Sequence, residues 1–290
     1  MRIRYFTWYG GKLRVILIIN NLIPNGIDEW YEPFMGSAAI TLNKHRHKVE
    51  VINDLDKELY MLFNLMADSE NGKILLNRLL KLKYSEDEFN RAMVAKRSGF
   101  NGLDKFEQAE KTYILISQSF NNTRKSFSHK FSQEQYSFSL SKNLPEVYKR
   151  LQGVHVENKS ALEIIEQAKN KENAMIYLDP PYRKSLRNKG ALSVYGYDNM
   201  EDPDHIELLE AIKHSKAKII LSGYLDVEND LYDNYLLTTK EWKRYKLKEL
   251  QKPSNSASSK GCEYIWVNYT LPSKSRWFID YSTVADYTTI

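Results

Sequence analysis

The sequence predicts an α/β protein: a mixed, mainly parallel sheet covered by helices, interrupted by a helical insertion. Three observations carry this. Short apolar runs ending in acids or turn residues alternate with segments whose apolar residues recur at spacings of three and four, the pattern of strands joined by helices. The alternation breaks off near residue 67 and resumes after 150, and the stretch between holds helical patterns and a Ser/Asn-rich loop without a convincing strand. With 290 residues, 42% of them hydrophobic, the chain can bury a sizeable core.

The elements follow in order. Residues 12–23 read as a helix stopped by Pro24, IDEWYEPF as a short strand entering a turn, and SAAITLNKH as the helix after it. VEVIND, residues 49–54, is a strand ending in Asn53 and Asp54, and LDKELYMLFNLM opens a helix. After the insertion come the strand VHVEN, a helix from 161 to about 168, and the strand AMIYL ending at Asp179. A helix over 203–213, the strand AKIILSGY and a late strand in EYIWVNYTL complete the pattern. Residues 252–260 form a Pro/Ser/Asn-rich loop, and 273–290 carry no readable period. Two domains are expected: residues 1–66 with 151–290, and the helical segment 67–150.

Composition removes several classes. The apolar patch near the amino end contains Arg14 and lacks a small-residue cleavage site, which argues against a signal peptide. No run approaches the roughly 18 apolar residues of a membrane span. The lone Cys262 cannot form an internal disulfide, so a reducing, cytoplasmic location is expected. The net charge of +5 is unevenly placed: residues 67–150 hold 15 Lys and Arg against 10 Asp and Glu, and the remainder balances at 27 of each. Within that segment, residues 111–133 carry no acid, while presenting Arg124, Lys125, Lys130 and several aromatic rings. Such a stretch suits a polyanion with stackable bases, although a solvated helical face would look the same.

Ligands of open α/β sheets sit outside the carboxyl ends of the strands, so Glu32, Asp54 and Asp179 are expected on one edge. In EPFMGSAA, Gly36 lets backbone approach a ligand at a helix start; the three-glycine dinucleotide fingerprint is absent. Asp54 is placed to accept from ribose hydroxyls or to cap the following helix. In FTWYGGK, two glycines before Lys12 can wrap a carboxylate while Trp8 covers an apolar portion; it is not a P-loop, and a plain turn is the alternative. DPPY, residues 179–182, is more informative. Two prolines remove two N–H donors and leave carbonyls and a carboxylate as acceptors, which suits an amino group and not a phosphate. Acceptors on an exocyclic base amine localise its lone pair for attack, and Tyr182 can stack on the ring. A base inside a duplex reaches such a pocket only by flipping out, at a cost of a few kcal/mol.

These residues resemble the Dam-like DNA adenine-N6 methyltransferases of the D12 type. The resemblance rests on an ordered series: FTWYGGK, EPFMGSA, VINDLD, the insertion, YLDPPY, IILSGY and EYIWVNY. It implies a Rossmann-like methyltransferase fold and S-adenosylmethionine as cofactor, with S-adenosylhomocysteine as product and no metal. By resemblance, Trp8, Lys12, Phe34, Gly36, Asp54 and Asp179 contact the cofactor, while Asp179, Pro180 and Tyr182 hold the adenine. The insertion corresponds to a target-recognition domain acting on double-stranded DNA. Its SFNNTRKSF loop offers Phe120 to fill the space left by the flipped base, Asn121 or Asn122 to read an adenine, Arg124 to read a guanine, and Lys125 nearby. Arg183, Lys184 and Arg187 form a candidate phosphate clamp, together with Lys189; a solvated loop is the alternative. Tyr9 stands where many members carry a small residue, Ser37 and Ala38 replace a second glycine, and Ser160 replaces an aspartate. The resemblance leaves open whether the enzyme is orphan, phage-borne or partnered with a cognate restriction endonuclease. The rival readings are methylation of cytosine N4 or of RNA adenine, and a protein that binds cofactor and DNA without catalysis.

Overall fold

The computed structural model describes residues 2–8, 12, 15–183, 200–226, 229–248 and 263–289. Lys184, Arg187 and Lys189, the Tyr9 to Gly11 turn, the 252–260 loop and Cys262 lie outside the described residues.

In chain order, α1 (Ile16–Leu22) ends where Ile23 turns extended before Pro24. β1 (Glu29–Glu32) leads through a turn into the short α2 (Ala39–Asn43). β2 (Val49–Asn53) precedes α3 (Lys57–Ala67), whose cap is Asp56, accepting from the Glu58 and Leu59 N–H groups. Four helices follow: α4 (Ser69–Leu79), α5 (Glu86–Arg97), α6 (Lys105–Ser117) and α7 (Gln133–Leu151). Their ends are written in the sequence. Asp68 caps α4, Asp104 with Glu107 and Ser132 with Gln135 form reciprocal caps on α6 and α7, and α5 has three acids in its first turn and two bases in its last. Next come β3 (His155–Glu157), α8 (Ala161–Ala168), capped by Ser160 and Glu163, and β4 (Ala174–Leu178). α9 (Asp202–Ile212) carries Pro203 in its first turn, where a missing N–H costs nothing. β5 (Lys218–Tyr224), α10 (Leu231–Leu236), β6 (Lys243–Leu247), β7 (Glu263–Val267) and β8 (Ile279–Ala285) complete the chain. No described helix is long and apolar enough to cross a membrane.

The chain divides into two compact units. The first comprises Met1–Leu13, Met35–Lys44 and Val51–Asn158. It holds the parallel pair β2–β3, with Val51 opposite His155 and Asn53 opposite Glu157. Its core joins Leu59, Leu62, Phe63 and Met66 of α3 to Leu75 and Leu79 of α4, Tyr113 and Ile116 of α6, and Leu140, Leu144 and Val147 of α7. The helical segment therefore shares one interior with α3 and with Tyr5 and Phe6, and the compact unit runs well beyond residues 67–150. Burial unites the apolar stripes of these helices regardless of where the sequence rhythm changes.

The second unit comprises Arg14–Phe34, His45–Glu50 and Lys159–Ile290. β1, β4 and β5 pair in parallel, with Glu29 opposite Ala174 and Leu178 opposite Leu221. β5–β7, β7–β6 and β6–β8 are antiparallel. All five residues of β4 are buried, which explains its unbroken apolar run: a central parallel strand has no wet face. Trp30 stacks on Tyr177 at 6.1 Å, and Trp30, Tyr177, Ile220 and Trp266 are essentially inaccessible. The strand order is β3-β2-β1-β4-β5-β7-β6-β8, a mixed sheet with β7 reversed between β5 and β6.

Candidate active site

In the first unit the turn after β1 closes on the end of β2. The Met35 N–H donates to the Asn53 carbonyl at 2.9 Å, and the Gly36 N–H donates to Asp54 Oδ2 at 3.0 Å. Gly36 has φ +47°, so the left-handed region that glycine enters freely is required here. Space is the second reason: a Cβ at Gly36 would stand 2.9 Å from Trp8 Nε1. Ala38 also adopts a positive φ, 49°, without glycine's freedom. Asp54 is buried, and its Oδ1 accepts the Asp56 N–H at 3.0 Å. The Asn158 amide donates to the Asp54 carbonyl at 2.7 Å. Of the two roles open to Asp54, capping of α3 falls instead to Asp56, two residues on. Lys12 is buried in the same unit.

The SFNNTRKSF loop is a small closed structure. A bridge pairs Ser119 with Phe127, the Phe120 N–H donates to the Ser126 carbonyl at 2.8 Å, and the Arg124 N–H donates to Ser119 Oγ at 3.0 Å. Asn121, Asn122 and Arg124 all take positive φ, between 50° and 58°. Asparagine tolerates that region better than most residues; arginine gains nothing from it. The base of the loop is held by buried Gln118, whose amide donates to the Lys83 carbonyl and accepts from the Ser85 N–H, and by Phe127 against Tyr84 and Phe89. At the tip Phe120 is 58% exposed, and Asn121 and Lys125 are exposed as well. Arg124 turns inward: its Nη1 lies 2.9 Å from Asp56 and 3.0 Å from Glu58, with the guanidinium 5.0 Å over the Trp8 ring. Sequence reasoning missed Asp56, Glu58 and Gln118. The D-x-E opening of α3 was visible, but its distant partner was not.

In the second unit the register places Phe34 and Asp179 at the carboxyl ends of β1 and β4. Glu32 is buried, Phe34 half-buried. Asp179 is half-buried beyond the last residue of β4, followed by buried Pro180 and Pro181 and half-buried Tyr182. The Tyr182 ring lies 4.3 Å from that of Tyr224, the last residue of β5, at 43°. Arg183 then ties the two strand exits together. It donates twice to Asp202 at 3.0 Å and lies 3.7 Å from Asp226, whose N–H in turn donates to Asp230. The Arg183 guanidinium holds the Asp202 carboxyl below the usual range, whereas burial pushes that of Asp230 up. A phosphate reaching Arg183 would have to compete with Asp202.

A mixed, mainly parallel sheet with a carboxylate, two prolines and an aromatic ring at the exit of a central strand is the architecture of a Rossmann-like methyltransferase. Residues 8–250 match the D12 class N6 adenine-specific DNA methyltransferases, and the chain belongs to that family. It is similar to the type II methyltransferase M.CviBI of Paramecium bursaria Chlorella virus NC1A, 27% identical over 83% of this chain and 90% of that protein. It is also similar to the type II methyltransferase M1.LlaDCHI of Lactococcus lactis subsp. cremoris, 22% identical over 93% of this chain and 96% of the relative. A shorter stretch, 35% of this chain and 42% of the relative, is 26% identical to a DNA adenine methylase of Haemophilus influenzae. The protein is an adenine-specific DNA methyltransferase.

Proposed function

We infer that the enzyme methylates the N6 amine of an adenine flipped out of duplex DNA at a specific site, with S-adenosylmethionine as donor. The observation that carries this is the half-buried Asp179 at the end of β4, followed by two buried prolines and a tyrosine ring. When bound, the cofactor supplies a methyl group activated by the positive charge of its own sulfur. Support for this cofactor comes from the buried Asp54 carboxylate beside the Gly36 turn, an acceptor of the kind that ribose hydroxyls need, and from the Trp8 ring packed against that turn. Trp8, Lys12, Phe34, Gly36 and Asp54 are the residues assigned to hold it, with Asp54 toward the ribose.

The chain's own part in the reaction is electrostatic and geometric. Asp179 and the Pro180 carbonyl accept the two amine hydrogens, which draws the nitrogen lone pair out of conjugation with the ring and aims it. The two prolines that follow carry no N–H of their own to offer the carboxylate. Tyr182, whose ring packs on Tyr224, stacks on the extruded base. Phe120 replaces the lost stacking in the duplex, while Asn121, Asn122, Arg124 and Lys125 engage its bases and phosphates. Mapping modified bases in DNA from cells expressing the protein tests the reading. N6-methyladenine at one short sequence is expected; N4-methylcytosine, or unmodified DNA from an active preparation, would contradict it.

A further inference from the structure

Arg124 closes a circuit inside the first unit. Trp8 packs on Gly36, Gly36 donates to one oxygen of Asp54, the Asp56 N–H donates to the other, and Asp56 and Glu58 hold Arg124 over the Trp8 ring. The Arg124 side chain is only 12% exposed, and its Nη2 is buried without a hydrogen-bond partner among the described residues. Its backbone stands at φ +58°, a conformation that costs an arginine free energy and persists because Ser119 and the ion pairs fix it. A guanidinium in this place cannot also lie against a base edge.

We propose that Arg124 is a positioning residue for the cofactor side of the enzyme, clamping Trp8 and the Asp54–Asp56 turn, and that its transfer to target DNA loosens the hold on the cofactor. This rests on the assignment of Trp8, Gly36 and Asp54 to the cofactor. The consequence is a linkage: specific DNA and cofactor compete for one side chain, so each lowers the affinity for the other by the same factor. After methyl transfer the same linkage favours release of the demethylated product.

Calorimetric titration of the full chain with S-adenosylhomocysteine tests this. In the absence of DNA, Arg124→Ala is expected to weaken binding about fivefold, the scale of one partly desolvated cation–π contact. Glu58→Gln should move in the same direction by less, and Arg124→Lys should recover part of the loss. With a duplex carrying the mapped target site, the wild-type enzyme should bind S-adenosylhomocysteine more weakly than with a duplex lacking it; Arg124→Ala should not distinguish the two, a readout that a merely structural residue would leave unchanged. Asp54→Ala separates the two levels of the argument. If it weakens binding while Arg124→Ala binds as wild type, the proposal is overturned and the cofactor assignment stands. If neither changes affinity, the cofactor assignment itself fails.

Discussion

At the scale of single residues, Gly36 and Arg183 each carry a testable constraint. Replacing Gly36 by alanine forces a left-handed alanine and drives its Cβ toward Trp8 Nε1, and the two effects add. Gly36→Ala is expected to destabilise by about 1–3 kcal/mol and to shift tryptophan fluorescence as Trp8 moves. Unchanged denaturant unfolding and emission would contradict the geometry. Arg183 makes a pH statement. Asp202 has its folded pKa lowered by Arg183, so the pair stabilises above the ordinary carboxylate pKa of roughly 4 and the contribution is lost as pH falls through the folded value. Asp202→Asn should therefore lower the thermal midpoint at pH 7, by an amount that shrinks as pH falls below the ordinary carboxylate value. The size is modest, because the Asp202 side chain is 56% exposed and screened by solvent. An equal effect at pH 7 and in acid would mean that the aspartate acts through something other than the pair.

At the scale of elements, legibility followed burial and capping. β2 and β4 matched their apolar runs, and α8 matched its periodic stretch, because each is bounded by a cap or an acid. β6, β8 and α10 were missed. β6 reads KRYKL, and its buried Tyr245 and Leu247 are outnumbered by bases that belong to a partly wet strand. β8 lies at the sheet edge with most of its residues at least partly exposed, so no alternation survives in its sequence, and a register shift falls where it meets β6. α1 begins at Ile16, later than the apolar pattern suggests, since nothing in the sequence marks its start and no side chain caps it. Capping gives a direct test in α7, whose Leu140, Leu144 and Val147 feed the helical core. Ser132 accepts the Gln135 N–H at its start, and Ser132→Ala is expected to cost about 1 kcal/mol in chemical unfolding. A neutral substitution would mean that packing alone fixes that end.

At the scale of the whole molecule, the sequence divides the chain by rhythm and charge, while the folded chain divides it by shared core. The basic excess of residues 67–150 fits a segment that meets a polyanion, yet Arg124 and Arg78 are already matched to acids, Arg78 through two bonds to Glu110. A count of charges therefore overstates what is on offer to DNA. The candidate site was legible in the sequence wherever one local stretch holds the residues proposed for the chemistry, as in DPPY and the glycine turn. It was hidden wherever partners are far apart in sequence: Arg124 with Glu58 is separated by 66 positions, and Tyr182 with Tyr224 by a helix and a strand. The central claim is that Asp179 is the acceptor that prepares the adenine amine. The most direct measurement compares methyl transfer and duplex binding by Asp179→Ala with those of the wild-type enzyme. Loss of transfer with binding largely retained is the expected result, since phosphate contacts supply most of the non-specific affinity. Turnover by Asp179→Ala at the wild-type rate would contradict it.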